Sequence, residues 1–286
     1  MRSFPSLPVV TGPHAPDDLL DGHLWILELI DGTGLRFRMD ESGLLRFGGP
    51  DATYADDEDV PLALRPAVRH VREAFDREAL RAAVDDPEGV TFLGVATHRR
   101  GTNYDWDRLP PFLGTDVYSA DADAFRPPDA VAAIFDGVGV TAVNAVEREV
   151  HARDFDPTDY AIPESAWRDG PAAGVDVRNK RGGRGKIAGD GCGRGTAEDE
   201  ETDAATDGNA LAETHATPER FDRVVAVLDR RGDPVTVDEL ADRTVESIAR
   251  ETTVSVGDGN GVDTEALRVA VVERARAYLD ERTEEW

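Results

Sequence analysis

The chain has 286 residues, 40% of them apolar, enough to bury a sizeable core and to form two domains. No apolar run approaches the roughly 20 residues that a membrane span needs, and the N-terminal residues lack the apolar stretch of a signal peptide, so a cytoplasmic location and no membrane partner are expected. The 58 acids and 32 bases give a formal net charge of −26, and the single cysteine, Cys192, excludes both an internal disulfide and a cysteine metal cluster.

The acids are spread along the whole chain and the bases are almost all arginine. This is the pattern of a halophilic protein, whose carboxylate-rich surface keeps it dissolved in concentrated salt. In such a protein net charge says little about partners and local basic clusters say more. Salt also screens phosphate contacts, so a polyanion site must rest on close geometry and stacking as well as on charge.

Residues 1–22 are proline-rich and read as irregular. His23–Gly32 and Leu35–Met39 alternate around an Asp31-Gly32 turn signal, which predicts a β-hairpin, with a third short strand over Gly43–Phe47. After Pro61, the spacing of Val68, Val71, Phe75 and Ala79 predicts helix over 62–85. Thr91–Thr97 and Phe112–Tyr118 read as strands. Pro127-Pro128 opens a short helix to about Asp136, and Val138–Val146 reads as another strand.

The most distinctive stretch is Gly174–Lys186. Val175 and Val177 deliver Arg178, a glycine-rich turn follows, and a second short strand carries Lys186 and Ile187. Five cations (Arg178, Lys180, Arg181, Arg184, Lys186) fall within nine residues, and Lys180 and Lys186 are the only two lysines of the chain. A cationic hairpin with glycines that admit close approach is a natural seat for phosphate; a solvated basic turn is the plain alternative.

Residues 191–214 are glycine-rich and acidic with almost nothing to bury, and read as a mobile linker. Beyond them the texture is helical. Thr217-Pro218 is an N-cap followed by proline at the first helical position, with Phe221, Val224, Val225 and Leu228 as the apolar stripe and Gly232 as the stop. Thr236-x-x-Glu239 is a capping box for a second helix. A turn over Gly257–Gly261 leads to a third from about Thr264, with Leu267, Val271, Tyr278 and Leu279 inward.

In this order the pieces resemble the ATP-dependent RNA ligase family of the covalent nucleotidyltransferases. The resemblance is carried by Pro5–Pro8 (PSLP), Ile30-Asp31-Gly32, the strand 91–97, FLGTDVY from Phe112, IPESAWRDG over Ile162–Gly170, GVDVRN…GKI, and TPER from Thr217. It implies an α+β fold. A nucleotidyltransferase domain of mostly antiparallel sheets with flanking helices would occupy 1–190, the linker 191–214, and an all-α domain 215–286. It also implies a chemistry. A lysine two residues before Asp-Gly attacks the α-phosphate of ATP and holds AMP as a phosphoramidate. One glutamate binds the ribose, an aromatic ring stacks on adenine, a second glutamate helps to hold a metal, and basic residues neutralise the phosphates.

On this sequence the nucleophile position is Leu29, the ribose glutamate position is Val95, and the metal-linked glutamate position is Ala173. Leucine has no lone pair with which to attack phosphorus. The resemblance leaves Asp31, Gly32, Arg36, Phe112 (as the stacking ring), Asp116, Arg178, Arg184 and Lys186 as nucleotide-binding positions. Asp176 lies near the lost glutamate, but three residues along a period-two strand turn it to the opposite face. Together these imply a degenerate member: an RNA ligase-like protein with a nucleotide or RNA-end cleft, taking ATP or AMP weakly and without a covalent bond, with Mg2+ left open. Two alternatives stay open, an active ligase with an unorthodox nucleophile such as Lys186, and a non-catalytic partner of an intact ligase paralogue. His98, Arg99 and Arg100 are RNA-phosphate candidates or a polar loop. Tyr104, Trp106 and Phe112 are a base-stacking cluster or core, and Asp56, Asp57 and Asp59 read as solvated surface.

Overall fold

A computed structural model describes residues 1–189, 207–252 and 262–284. The chain divides into two units, Met1–Asp59 with Ala67–Arg194, and Val60–Pro66 with Gly195–Trp286.

The first unit is built on two antiparallel sheets. One has the order β7 (Ala145–His151), β1 (His23–Glu28), β8 (Gly174–Asn179), β9 (Arg184–Ala188). The other runs β3 (Leu45–Gly48), β2 (Thr33–Met39), β4 (Val90–Ala96), β5 (Phe112–Ser119), β6 (Ala124–Phe125). Helices α1 (Arg65–Ala74), α2 (Arg77–Ala83) and α3 (Pro128–Gly137) accompany them. β1 lies between β7 and β8, and its Leu24–Glu28 are buried on both faces, which is why it reads as a nearly continuous apolar run. The second sheet rests on an aromatic layer. Phe37 and Phe92 stack at 5.0 Å, Phe75 stands edge-on to Phe37 at 5.3 Å, and Phe135 of α3 stands edge-on to Phe92 at 5.6 Å. Each such pair adds about 0.5–1.5 kcal/mol to the burial itself.

Three expectations are corrected. Asp31-Gly32 is not a hairpin turn, because β1 and β2 belong to different sheets. The Asp31 carboxylate accepts the N–H groups of Gly101 and Thr102, both at 3.0 Å, and its own N–H donates to the Tyr104 hydroxyl at 2.8 Å. Those long-range bonds override the local turn signal and carry the chain from one sheet to the other. Secondly, the strand expected over 138–146 is β7, shifted to Ala145–His151; residues before it run as a loop with one bridge, Gly114 to Ala142. β7 is an edge strand with several exposed residues, so apolar patterning does not mark it. Thirdly, the end of the expected linker is helix α4 (Gly208–His215), capped by the Asp207 carboxylate on the Asn209 N–H, with Leu211 and Ala212 buried. The linker's residues 191–206, and the turn 257–261, lie outside the described residues.

The second unit contains α4, α5 (Pro218–Arg231), α6 (Val237–Glu251) and α7 (Thr264–Glu284). Thr217 and Thr236 cap α5 and α6 by accepting the N–H groups of Arg220 and Glu239, and Gly232, at φ 73°, closes α5 in the left-handed conformation. Leu211, Phe221, Val225, Leu240, Ile248 and Leu267 belong to one apolar core. Leu62, from a 3-10 turn over Leu62–Leu64, joins that core, so this unit is assembled from two separate stretches of sequence. No described helix is long and apolar enough to cross a membrane.

Candidate functional site

Where the chain passes from β1 to β2, the two sheets part around a cleft of about 200 Å3. Glu28, Leu29 and Ile30 leave β1 along one side; Gly94 and Val95 of β4 and Thr115 and Asp116 of β5 come from the other sheet. Asp176, Arg178 and Arg184 form its polar floor, and Phe4, Pro5 and Leu7 border it from the N-terminal segment.

The floor is a closed ionic cluster. Arg178 donates through Nη1 to Asp116 Oδ1 at 3.0 Å and to the Thr115 carbonyl at 2.8 Å, and through Nη2 to Asp116 Oδ2 at 3.2 Å. Its Nε and Nη2 also reach Asp176 Oδ2, at 2.9 and 2.6 Å. Arg184 donates to Asp116 Oδ1 at 2.6 Å. The β8–β9 register sets Arg178 directly opposite Arg184. Two like charges so placed repel, and Asp116, reaching across from the other sheet, holds both. All four side chains are buried.

Electrostatics separates the two carboxylates. Burial alone would push the Asp116 carboxyl up, but Arg178 and Arg184 beside it outweigh burial and hold it below the usual aspartate value. Burial prevails at Asp176, which is pushed up despite Arg178, with Asp116 adding to the rise. For Arg178 burial opposes the charge, yet Asp116 and Asp176 together raise its pKa above the ordinary value. One oxygen of Asp176, Oδ1, is buried with no hydrogen-bond partner among the described residues.

The expected positions divide into those at the cleft and those elsewhere. Leu29 and Val95 border it, each half-buried, together with Asp116, Arg178 and Arg184. Ala173 is buried and does not line it; its carbonyl accepts the Gly189 N–H at 2.8 Å. Asp176 and Arg178 line it while Ala173, Val175 and Val177 do not, so Asp176 does face away from the Ala173 side, and it is the Asp176 side of β8 that faces the cleft. Asp31 is spent on the loop at Gly101 and Thr102, and the Gly32 carbonyl accepts from Arg100 at 3.1 Å. Arg36 is buried and donates to the Arg2 carbonyl at 3.1 Å, away from the cleft. The Lys186 backbone is bonded to the N-terminal segment, N–H to Pro8 O at 2.7 Å and O from Val10 N–H at 3.0 Å, and its side chain is half-buried outside the cleft lining.

Phe112 is corrected as a stacking ring. It is fully buried among Phe37 and Phe135, and a Cβ on Gly94 would come within 2.3 Å of its ring. The glycine therefore lets the ring pack beneath β4 rather than in the cleft. Phe4 is the aromatic residue that lines the cleft, its ring laid against Gly34, where an added Cβ would approach to 2.9 Å. Nothing in the proline-rich N-terminal stretch marks it in advance. Glu28 was also missed. Its carboxylate accepts from Ser165 Oγ at 2.6 Å and Ala166 N–H at 3.1 Å, tying the 165–167 loop to β1. The signal for it is a lone acid at the end of an apolar strand, HLWILE.

The other cations of the basic hairpin are paired at the surface, Lys180 with Glu149 at 2.7 Å and Asp129 at 3.2 Å, and Arg181 with Asp21 at 3.6 Å. His98 shares a 2.8 Å hydrogen bond with Thr33. A divalent metal does not fit the residues present. No group of three metal-type side chains occurs among the described residues, Ala173 offers no donor, and both cleft aspartates are bound to arginine. The cleft lining offers apolar walls, a phenyl ring and guanidinium groups, with Val95 in place of a carboxylate.

No protein-family model matches the chain, and no curated protein matches it. Solved structures do. A mutant of the RNA ligase of Naegleria gruberi with ATP and Mn is similar at a TM-score of 0.51 and 12% identity, over 66% of this chain and 56% of that one. A second mutant of that ligase, with AMP and Mn, is similar at 0.50 and 12% identity, over 65% and 55%. The chain thus spans little more than half the length of those ligases. At this identity the likeness is one of fold: the chain is α+β, with antiparallel sheets arranged similarly to those of an RNA ligase.

Proposed function

We propose that this protein is an RNA ligase-like protein that holds a nucleotide or an RNA end in the inter-sheet cleft without forming a covalent adenylate. The observation that carries this reading is Leu29 at the cleft, with no lysine among the lining residues. A phosphoramidate needs a nitrogen lone pair within reach of the α-phosphate. The alternative nucleophile, Lys186, is outside the lining and its backbone is clamped between β8 and the N-terminal segment. Binding is supported by Phe4, which offers a face for a base, and by the unpartnered Asp176 Oδ1. A stacked base contributes about 1–3 kcal/mol. Val95 and Ala173 stand where the resemblance puts the ribose-binding and metal-linked carboxylates, so affinity is weak, about 10 µM to 1 mM, or roughly −7 to −4 kcal/mol.

The test is incubation with labelled ATP and Mn2+ or Mg2+, followed by denaturing electrophoresis, beside an equilibrium titration with AMP. The expected outcome is no retained label and weak AMP binding that Phe4→Ala reduces several-fold. Label that survives denaturation and maps to a lysine would overturn it. A second reading, a non-catalytic partner of an intact ligase, is favoured by one observation: Asp116 and Asp176 already occupy Arg178 and Arg184. Absence of any AMP binding would put that reading first.

A further inference from the structure

A second cavity opens beside the cleft, about 370 Å3 in volume, between the turn joining β8 to β9 and the junction of β6 with α3. We propose that this groove binds the phosphodiester backbone of a single-stranded polynucleotide leaving the cleft. In a chain with 58 acids against 32 bases, no acid among the described residues lines it, whereas Arg126, Arg178, Lys180, Arg181 and Arg184 all do.

These cations are not equivalent. Arg178 and Arg184 are committed to Asp116, and Lys180 to Glu149 and Asp129. Arg126 and Arg181 are exposed, on opposite walls. Arg126 makes no ion pair among the described residues, and Arg181 pairs there with Asp21 at 3.6 Å, itself half in solvent. Guanidinium groups bind phosphate oxygens in a bidentate fork and are weakly hydrated, which suits a site that must work in salt.

Phe125, half-buried at the groove, carries the Arg184 guanidinium over its ring at 5.3 Å. A phenyl ring among cations is the pairing that sequence-tolerant single-strand sites use, stacking for the base and charge for the backbone. Cations spread over two walls suit successive phosphates along a strand, where a lone phosphate would need them convergent. Groove and cleft share Pro5, Arg178 and Arg184, so a chain ending in one runs out through the other. The groove rests on the cleft reading only for where the strand ends.

The test is fluorescence anisotropy of the full chain with a labelled single-stranded oligoribonucleotide of about 12 residues, beside AMP titration, at several salt concentrations. Arg126→Glu/Arg181→Glu should weaken oligonucleotide binding about tenfold or more, and lower the slope of log K against log salt by about 1.4, or 0.7 per lost phosphate contact. AMP binding should not change, and Arg126→Lys with Arg181→Lys should keep most of the affinity. Should the reversal variant misfold by circular dichroism, Arg126→Gln and Arg181→Gln carry the same comparison. The groove is overturned if wild type does not bind the oligonucleotide, if the reversal leaves its binding unchanged, or if AMP binding falls equally. Oligonucleotide binding that depends on both arginines without AMP binding would sink the cleft reading and leave the groove standing.

Discussion

Ile248 in α6 and Arg178 in β8 are both almost wholly withdrawn from water, and they are held by opposite means. Ile248 sits among Leu240, Val245, Leu267 and their neighbours, where each contact is interchangeable with the next and the stabilisation scales with area. Arg178 sits among Thr115, Asp116 and Asp176, where every bond has a direction and the cost of leaving water is offset only while the partners are present. The helical core therefore responds to a substitution by how much is removed. The cleft floor responds by which partner is removed, and even the sign of the effect differs between its members.

The largest effect is expected at the floor. Arg178→Met leaves Asp176 with no cation bonded to it and Asp116 with Arg184 alone, and should cost about 4 kcal/mol, read as a shift of the denaturant midpoint at unchanged slope. A cost under about 1 kcal/mol would show that the cluster is hydrated and would dissolve the contrast. Next comes Leu240→Ala, expected to cost about 3 kcal/mol through lost burial and the cavity left behind, since Leu240 is fully buried in the helical core. A larger loss there than at Arg178 would reverse the order.

The smallest effect, and the sharpest, belongs to Asp176→Asn, which should lie between neutral and about 1 kcal/mol stabilising at pH 7. The Asp176 pKa is raised on folding, so its ionisation penalises the folded state. Its favourable contribution is present below the unfolded value, near 3.9, and is lost as pH rises through the folded value. The gain from asparagine should therefore shrink toward pH 4 and grow above it. Asp116 behaves oppositely: its pKa is lowered, so its stabilisation is present above about 3.9 and is lost as pH falls through the depressed folded value. Chemical unfolding of wild type and Asp176→Asn across pH checks this. A gain that is flat in pH would mean that Asp176 ionises in the folded state as it does in the unfolded one.

Much of this molecule is legible in its sequence wherever the physics is local. Thr217, Gly232 and Thr236 mark the ends of helices because a cap is satisfied within three or four residues. Asp116 and Arg178 stand out as charges in apolar strands that must find partners, but their pairing spans 62 residues and is not written in either segment. Phe112 was misplaced because a ring's side of a sheet depends on register, and β4 and β5 shift register at Leu93–Gly94. Phe4 and α4 were missed for one reason. Neither has a periodic apolar pattern, and both gain their position from packing, against Gly34 and within the helical core.

Leu62 has a consequence for how the protein is made and how it can be cut. During synthesis it emerges long before α4 and must stay unsheltered until α4 to α7 have been made, so the helical core closes only after about 200 further residues of chain. A gene fragment starting at the linker would encode every helix from α4 onward and still lack this side chain, leaving an apolar socket open to water. Recombination that swaps the helical unit between relatives has to carry two segments together, residues 60–66 as well as the tail. Such an insertion makes the two units inheritable only as a pair.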